Sequence, residues 1–225
     1  MIITWYGQAC FKIVVQKGKD GSVNILTDPF DKETGLRSPR IEADILLFTH
    51  NDKKAISKPA RQPARASRRL AGGESFLITG PGEYDIKGLY IQGIPASAKN
   101  NKTSQGTTIY TIEAEGMKIC HLGSLDQGEL ASKELEAIGD VDILMVPIGG
   151  KEALDTKEAI KIMSQIEPKI VIPMYYKIPG LKIALDGLDK FLKSLGIKKI
   201  ESLPKLSIKK KDLPEEEAKI ITLKP

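Results

Sequence analysis

Residues 43–56 have the sequence ADILLFTHNDKKAI, in which an apolar run stops abruptly at polar side chains. Residues 45–48 have the length and the β-branched and aromatic content of a buried strand. Thr49, His50 and Asp52 follow at its end. Because α/β proteins commonly bind ligands beyond the carboxyl ends of their strands, His50 and Asp52 are the first candidate site residues.

The residues around this segment predict a first half that is rich in strands. Apolar or alternating runs favour strands at residues 2–16, 22–30, 75–79, 86–96, 107–114 and 117–123. Asp20-Gly21 predicts a hairpin turn before the second of these runs, and residues 80–84 (GPGEY) predict another turn. A short helix is expected at residues 64–70, after two prolines.

The second half alternates between helices and strands. Helical spacing favours helices at residues 129–138, 155–166 and 185–195, and continuous apolar runs favour strands at residues 141–150 and 169–176. Asp155 and Glu158 form an N-cap and N3 pair at the start of the second helix. The order predicts one α/β (α+β) domain over residues 1–225, with two sheets face to face and helices outside. The tail from about residue 203 is expected to add an edge strand.

Composition predicts a globular protein with no membrane association. No run approaches the roughly 20 apolar residues of a membrane helix. The first residues, MIITWYGQACF, lack a basic region and a cleavage site, so we expect a cytoplasmic protein. Cys10 and Cys120 are therefore expected to be reduced, buried thiols rather than a disulfide.

The net charge of +5 is concentrated in one segment. Residues 53–69 contain no acidic residue, and the basic residues there are Lys53, Lys54, Lys58, Arg61, Arg65, Arg68 and Arg69. Such a block attracts anionic ligands or nucleic acid through their phosphates, whereas a solvated surface is the plainer interpretation. The segment contains no aromatic residue on which bases could stack.

Seven short motifs occur in order along residues 1–192: ITWYGQACFKI, ILTDPF, GPGEYDIKG, IQGIP, KICHLGS, DILMVPIGG and VIPMYY. Together with the strand before His50, they resemble the metallo-β-lactamase superfamily, and most closely its metal-dependent hydrolases of the ascorbate-phosphate lactonase type. The resemblance implies an αββα four-layer sandwich. It says less about activity, because one fold hosts many functions.

The superfamily's His-x-His-x-Asp-His signature is only partly kept. His50 matches its first His, Asp52 stands in place of the second, Lys54 replaces the Asp, and Ala55 replaces the last His. The resemblance implies a single metal site of His50, Asp52 and His121, which could hold one zinc, manganese or iron ion, or no metal at all.

The second metal site of the family is expected to be lost. Ser124 stands where the bridging carboxylate normally follows His-Leu-Gly, and Tyr175 replaces the His after Pro-Met. Lysine repels a cation, alanine donates nothing, and serine and neutral tyrosine are poor ligands. The vestigial pocket would consist of Asp28, Lys54, Ala55, Ser124 and Tyr175.

Three functional hypotheses follow. The first is a protein with a degenerate metal site that no longer performs two-metal hydrolysis and acts in binding or scaffolding. The second is a mono-metal hydrolase of phosphoesters or lactones that uses His50, Asp52 and His121. The third is a polyanion or nucleic-acid binder that uses Lys53, Lys58, Arg61, Arg65, Arg68 and Arg69. A catalytic cysteine is not favoured, because neither Cys10 nor Cys120 shows an activating helix N-terminus.

Overall fold

The structure is a computed structural model that describes residues 1–39, 41–50, 75–97 and 106–225. Within these ranges the first sheet has six strands: β1 (Ile2–Trp5), β2 (Phe11–Gln16), β3 (Ser22–Thr27), β4 (Ile45–Leu47), β5 (Phe76–Ile78) and β12 (Leu206–Ser207). Their order is β12-β1-β2-β3-β4-β5. Strands β3, β4 and β5 are parallel, so β3 and β4 end at the same edge.

The second sheet has seven strands in the same described ranges: β6 (Gly82–Ile86), β7 (Leu89–Pro95), β8 (Thr108–Ala114), β9 (Met117–His121), β10 (Ile143–Pro147), β11 (Ile170–Met174) and β13 (Lys219–Ile220). Their order is β13-β11-β10-β9-β8-β7-β6, and β9, β10, β11 and β13 are parallel. The tail contributes β12 at one edge of the first sheet and β13 at one edge of the second.

In the part of the chain that the structure describes, the helices are α1 (Ser132–Ile138), α2 (Thr156–Ile166) and α3 (Leu188–Ser194), with 3₁₀ turns at Gly18–Asp20, Lys32–Thr34 and Lys210–Asp212. Helix α2 begins with the predicted capping box, because the Asp155 side chain accepts from the backbone N–H groups of Lys157 and Glu158. Helices α1 and α3 begin later than predicted, at Ser132 and Leu188. None of the helices in the described part of the chain has the length and apolar character to cross a membrane.

Two strand predictions are corrected. Residues 2–16 form two strands rather than one, because the chain turns between Tyr6 and Cys10, where the Tyr6 N–H donates to the Cys10 carbonyl at 2.9 Å. Residues 82–86 form β6 rather than a turn, and most of the predicted strand 86–96 is β7, which begins at Leu89 because Lys87 and Gly88 turn the chain between β6 and β7. Lys87 and Gly88 both have positive φ, which suits a two-residue hairpin turn.

The main hydrophobic core lies between the two sheets and beneath the helices that cover the second sheet. Along β4, Ile45 and Leu47 face this core, whereas Leu46 faces a smaller cluster with Cys10 and Phe30 on the other side of the first sheet. Both cysteines are free and buried, as predicted. The predicted helix at 64–70 lies outside the described residues. The expected α/β architecture, with two mixed sheets and flanking helices, is confirmed.

Candidate active-site pocket

The ends of strands from both sheets meet at one edge of the molecule. Asp28 follows β3, Thr49 and His50 follow β4, and His121 is the last residue of β9, with Ser124 in the turn beyond it. The Thr108 N–H, at the start of β8, donates to the Thr49 carbonyl at 2.8 Å and joins the two sheets. This arrangement brings together four residues that are distant in the sequence: Asp28, His50, His121 and Ser124.

A chain of hydrogen bonds runs from Asp28 through Thr49 and His50 to Ser124. The Thr49 hydroxyl donates to Asp28 Oδ2 at 2.9 Å, and the Thr49 N–H donates to Asp28 Oδ1 at 2.8 Å. Thr49 Oγ1 lies 3.0 Å from His50 Nδ1, and His50 Nε2 contacts Ser124 Oγ. Thr49 and Ser124 are buried, while His50 is half-buried.

This chain fixes the direction of each hydrogen bond. An ionised carboxylate accepts only, so the single Thr49 hydroxyl proton goes to Asp28 and Thr49 Oγ1 can only accept from His50. His50 Nδ1 therefore carries the proton in the neutral ring, and His50 Nε2 is left as an acceptor for the Ser124 hydroxyl.

His121 is fully buried and uses both ring nitrogens within the protein. The Gly123 N–H donates to His121 Nδ1 at 2.8 Å, so the proton of the neutral ring is on Nε2. Nε2 lies 2.9 Å from both the Ala9 carbonyl and Thr27 Oγ1. The tautomer of His121 is thus opposite to that of His50.

Burial lowers the pKa of His121 from its ordinary value of 6.5, and it does so against the opposing effect of the Asp28 charge. The Asp28 carboxylate lies 3.8 Å from His121 Nε2. Because the lowered pKa favours the neutral ring near neutral pH, this contact is not an ion pair there. His121 is a neutral side chain within the core edge.

The described residues of the predicted metal set do not fit a divalent ion. A ligating His needs an unprotonated ring nitrogen directed at the metal, and both nitrogens of His121 face protein atoms. The free lone pair of His50 Nε2 faces Ser124, and within the described ranges no group of three or more His, Cys, Asp or Glu side chains could hold a metal.

The turn that carries Ser124 depends on Gly123. This glycine has a φ of +59°, and a Cβ added there would lie 2.4 Å from Thr49 Oγ1. The Leu125 N–H donates to the Leu122 carbonyl at 3.1 Å, and both leucines are fully buried. The tight turn and the missing side chain together let Ser124 approach His50.

Three further residues at this edge have a strained backbone. Gln8, Asp28 and Tyr175 have φ angles of 49°, 38° and 52°. Such angles are uncommon without glycine and cluster at functional sites. The Tyr175 N–H donates to the Gln8 carbonyl at 3.2 Å, so Tyr175 belongs to this edge, but it makes no hydrogen bond with His50 or His121 within the described residues.

Charge and burial also act on Tyr175 and Gln8. Burial raises the pKa of Tyr175 to about 12, with smaller contributions from Glu152 and Asp28, so its phenol remains neutral. Gln8 Nε2 is buried and has no hydrogen-bond partner among the described residues. A buried amide N–H without a hydrogen-bond acceptor costs free energy, and an acceptor on a bound ligand would remove that cost.

Several residues that the sequence assigns to the metal site, the vestigial pocket or the basic segment lie outside the described residues, so these assignments remain predictions. They are Asp52, Lys53, Lys54, Ala55, Lys58, Arg61, Arg65, Arg68 and Arg69. The third ligand of the single metal site and the whole basic segment are therefore untested. Within the described part of the chain, both carboxylate oxygens of Asp28 accept hydrogen bonds from Thr49.

Thr49 and Gln8 are site residues that the sequence does not single out. Thr49 is the first polar residue after β4, and its position beside His50 is a usable signal. Gln8 lies within the ITWYGQACFKI motif.

Comparison with known proteins identifies the family. Residues 2–175 match the beta-lactamase superfamily domain. A UPF0173 metal-dependent hydrolase of Thermoplasma acidophilum is 30% identical over 194 residues, which are 77% of this chain and 82% of that protein.

Solved structures agree with this assignment. A metallo-β-lactamase superfamily protein from Thermotoga maritima is 29% identical, with 99% of this chain and 98% of that chain covered and a TM-score of 0.74. Igni18, a metallo hydrolase from Ignicoccus hospitalis, shares the fold at 20% identity, with 92% and 99% covered and a TM-score of 0.56. The chain therefore belongs to the UPF0173 metal-dependent hydrolase family of the metallo-β-lactamase superfamily.

Proposed function

We propose that this chain does not perform two-metal hydrolysis and instead binds a small polar ligand beside the strand-end cluster of Asp28, Thr49, His50, His121 and Ser124, without a metal centre. The observation that carries the proposal is the hydrogen bonding of both histidines. His121 has no free ring nitrogen, and the lone pair of His50 Nε2 accepts from Ser124. The chain would then differ in chemistry from the relatives named metal-dependent hydrolases.

The identity of Ser124 and Tyr175 supports the same conclusion. The family resemblance assigns a bridging carboxylate to the first position and a His to the second, and neither replacement is a good ligand for a divalent cation. The neutral phenol of Tyr175 also supplies no negative charge. The Asp28 carboxylate lies beside the histidines, and its two oxygens accept from Thr49.

Polar donors beside this cluster indicate the class of ligand. Gln8 lies next to Ala9, the acceptor of His121, and its own carbonyl accepts from Tyr175, while its side-chain Nε2 is buried without a partner. The Ser124 N–H likewise donates to none of the described residues. N–H donors of this kind favour a ligand with carbonyl or carboxyl oxygens.

Metal uptake tests the proposal. Wild type, His50→Ala and a control variant, Lys161→Ala, are dialysed against zinc or manganese, and bound metal is measured by elemental analysis. Lys161 is a matched control because it is an exposed residue of helix α2 that pairs with Glu129. We expect less than about 0.1 metal ion per chain for all three proteins, because the described ligand set is incomplete.

The opposite result would favour the second hypothesis. About one zinc or manganese ion per chain in wild type and Lys161→Ala, with loss in His50→Ala, would overturn the proposal. It would favour a mono-metal hydrolase in which Asp52 completes the site with His50 and His121.

A further inference from the structure

The arrangement of Ser124, His50, Thr49 and Asp28 has the components of nucleophilic acyl transfer. Ser124 Oγ contacts His50 Nε2, and the ring of His50 is held from its other side by Thr49 and Asp28. A nucleophile, a base and a group that orients the base are the three elements of a serine-type triad, which occurs on unrelated folds. Here a threonine hydroxyl lies between the histidine and the carboxylate.

We propose that Ser124 is a nucleophile that hydrolyses carboxylic esters, with His50 as its general base and Thr49 and Asp28 as positioning residues. This inference rests on the proposed function, because a metal bound by His50 Nε2 would remove the base. The tautomer forced by Thr49 leaves the lone pair of His50 Nε2 directed at the Ser124 hydroxyl, which is the state that a general base needs.

The location of Ser124 suits this role. The residue follows Gly123 in a tight turn at the carboxyl end of β9, and the two neighbouring leucines of that turn, Leu122 and Leu125, are fully buried and hold it in place. Strand-end turns also carry the nucleophile in other hydrolase folds, while Ser124 itself keeps 8% of its surface exposed. The Ser124 N–H, without an acceptor among the described residues, is available as a donor to a developing oxyanion.

The buried position of Thr49 gives the relay its rigidity. Thr49 is 1% exposed, and its hydroxyl and N–H both bind Asp28, so the oxygen that faces His50 Nδ1 has one position. As a proton moves to His50 Nε2, the ring becomes cationic, and the nearby Asp28 carboxylate stabilises that charge through Thr49.

The reaction proceeds in two balanced steps. In the first, Ser124 Oγ attacks the ester carbonyl carbon while its proton passes to His50 Nε2. The ester C–O bond then breaks, and the leaving alkoxide takes that proton and departs as an alcohol. In the second, water gives a proton to His50 Nε2 and attacks the acyl carbon, and Ser124 Oγ recovers the proton as the carboxylic acid leaves. The overall change is ester plus water to acid plus alcohol.

Covalent labelling is the direct test. Metal-free protein is treated with diisopropyl fluorophosphate, and the modified peptide is located by mass spectrometry, alongside the burst of nitrophenol released from p-nitrophenyl acetate. We expect about one label per chain on Ser124 and none above background in Ser124→Ala, because the nucleophile forms the covalent adduct. Ser164→Ala is the matched control, since the Ser164 hydroxyl donates to a helix carbonyl rather than to a histidine.

Variants of the other residues separate chemistry from folding. We expect His50→Gln to slow labelling by about 10²-fold or more, as expected for removal of a general base. Thr49→Val should slow labelling by roughly fivefold to tenfold because one hydrogen bond to the base is lost, while Thr49→Ser should restore the wild-type rate. A merely structural role for Thr49 would make the rate follow thermal stability instead of the presence of the hydroxyl.

The outcomes separate the two proposals. Protein that takes up no metal and shows no label at Ser124 would overturn the nucleophile and leave the metal-free pocket standing. Stoichiometric metal uptake would overturn the metal-free pocket, and with it the free His50 base. Total labelling that is equal in wild type and Ser124→Ala would also overturn the nucleophile, as would labelling at Ser124 that is equally fast in wild type and His50→Gln.

Discussion

Replacement of His121 by alanine tests whether this residue supports the fold rather than a metal. The change removes the acceptor of the Gly123 N–H and a donor to the Ala9 carbonyl, both in a fully buried setting. An orphaned buried N–H costs about 1–3 kcal/mol, and the loss of the second hydrogen bond costs about 0.5–1.5 kcal/mol. The second value is the smaller because Ala9 still accepts from the Thr27 hydroxyl.

The expected loss of unfolding free energy is therefore roughly 2–4 kcal/mol, a large part of the ~5–15 kcal/mol that a domain possesses. For a chain of this size, that loss lowers Tm by about 5–15 °C. Urea denaturation and calorimetry measure both quantities, with and without EDTA. His50→Ala is the matched comparison, because His50 is half-buried and should cost less than about 1 kcal/mol.

Two results would contradict a structural, metal-free role for His121. One is a loss below about 0.5 kcal/mol for His121→Ala, which is the range of ordinary surface changes. The other is a loss that appears only in metal-loaded protein and is matched by EDTA treatment of wild type, as expected if His121 held an ion.

Three further predictions concern titration, thiols and a helix cap. Because the pKa of His121 is lowered from 6.5 in the folded state, the unfolded state binds more protons below pH 6.5, and the unfolding free energy should fall there by at most about 1.4 kcal/mol per pH unit. Urea denaturation of His121→Gln from pH 7.5 to 5 should lack this contribution. A pH slope equal to that of wild type would contradict the prediction. Burial raises the pKa of Cys10 and raises that of Cys120 to about 12, so neither thiol of the folded protein should react with Ellman's reagent within minutes. Both thiols should react in urea, and fast reaction of the folded protein would contradict their burial. Asp155→Ala should lower unfolding free energy by about 1 kcal/mol because the N-cap of α2 is lost, and a Tm equal to that of wild type would contradict this role.

The strand ends that form the pocket were predictable from the sequence because each follows a distinct apolar run. The runs before Asp28, His50 and His121 stop at polar residues, and parallel strands end at a common edge. The cap at Asp155 was predictable for a similar local reason, since residues three apart at a helix start bind each other's backbone.

The turn at residues 6–10 was not predictable in the same way. Its apolar residues continue the pattern of the flanking strands, and the positive φ of Gly7 and Gln8 is visible only in the structure. The hairpin turn at Lys87-Gly88 was missed because no Asn or Asp precedes the glycine.

The hydrogen-bond partners of the two histidines could not be predicted from the sequence either. The Ala9 carbonyl that faces His121 lies 112 residues away along the chain, and Ser124 lies 74 residues from His50. Contacts of that kind depend on how two sheets pack, which local patterns do not encode. The family resemblance placed these residues in one pocket but described them as remnants of a metal site, whereas the structure connects His50, Thr49 and Ser124 by hydrogen bonds.

The protonation states of the two histidines test most directly whether this site works without a metal. The chain has only these two histidines, so long-range ¹H–¹⁵N NMR spectra contain two imidazole rings that His50→Gln assigns. We expect a proton on Nδ1 of His50 and on Nε2 of His121 near neutral pH, with both sets of ¹⁵N shifts unchanged by one equivalent of zinc. Zinc-dependent shifts of His50 and His121 that indicate coordination by ring nitrogens would contradict it.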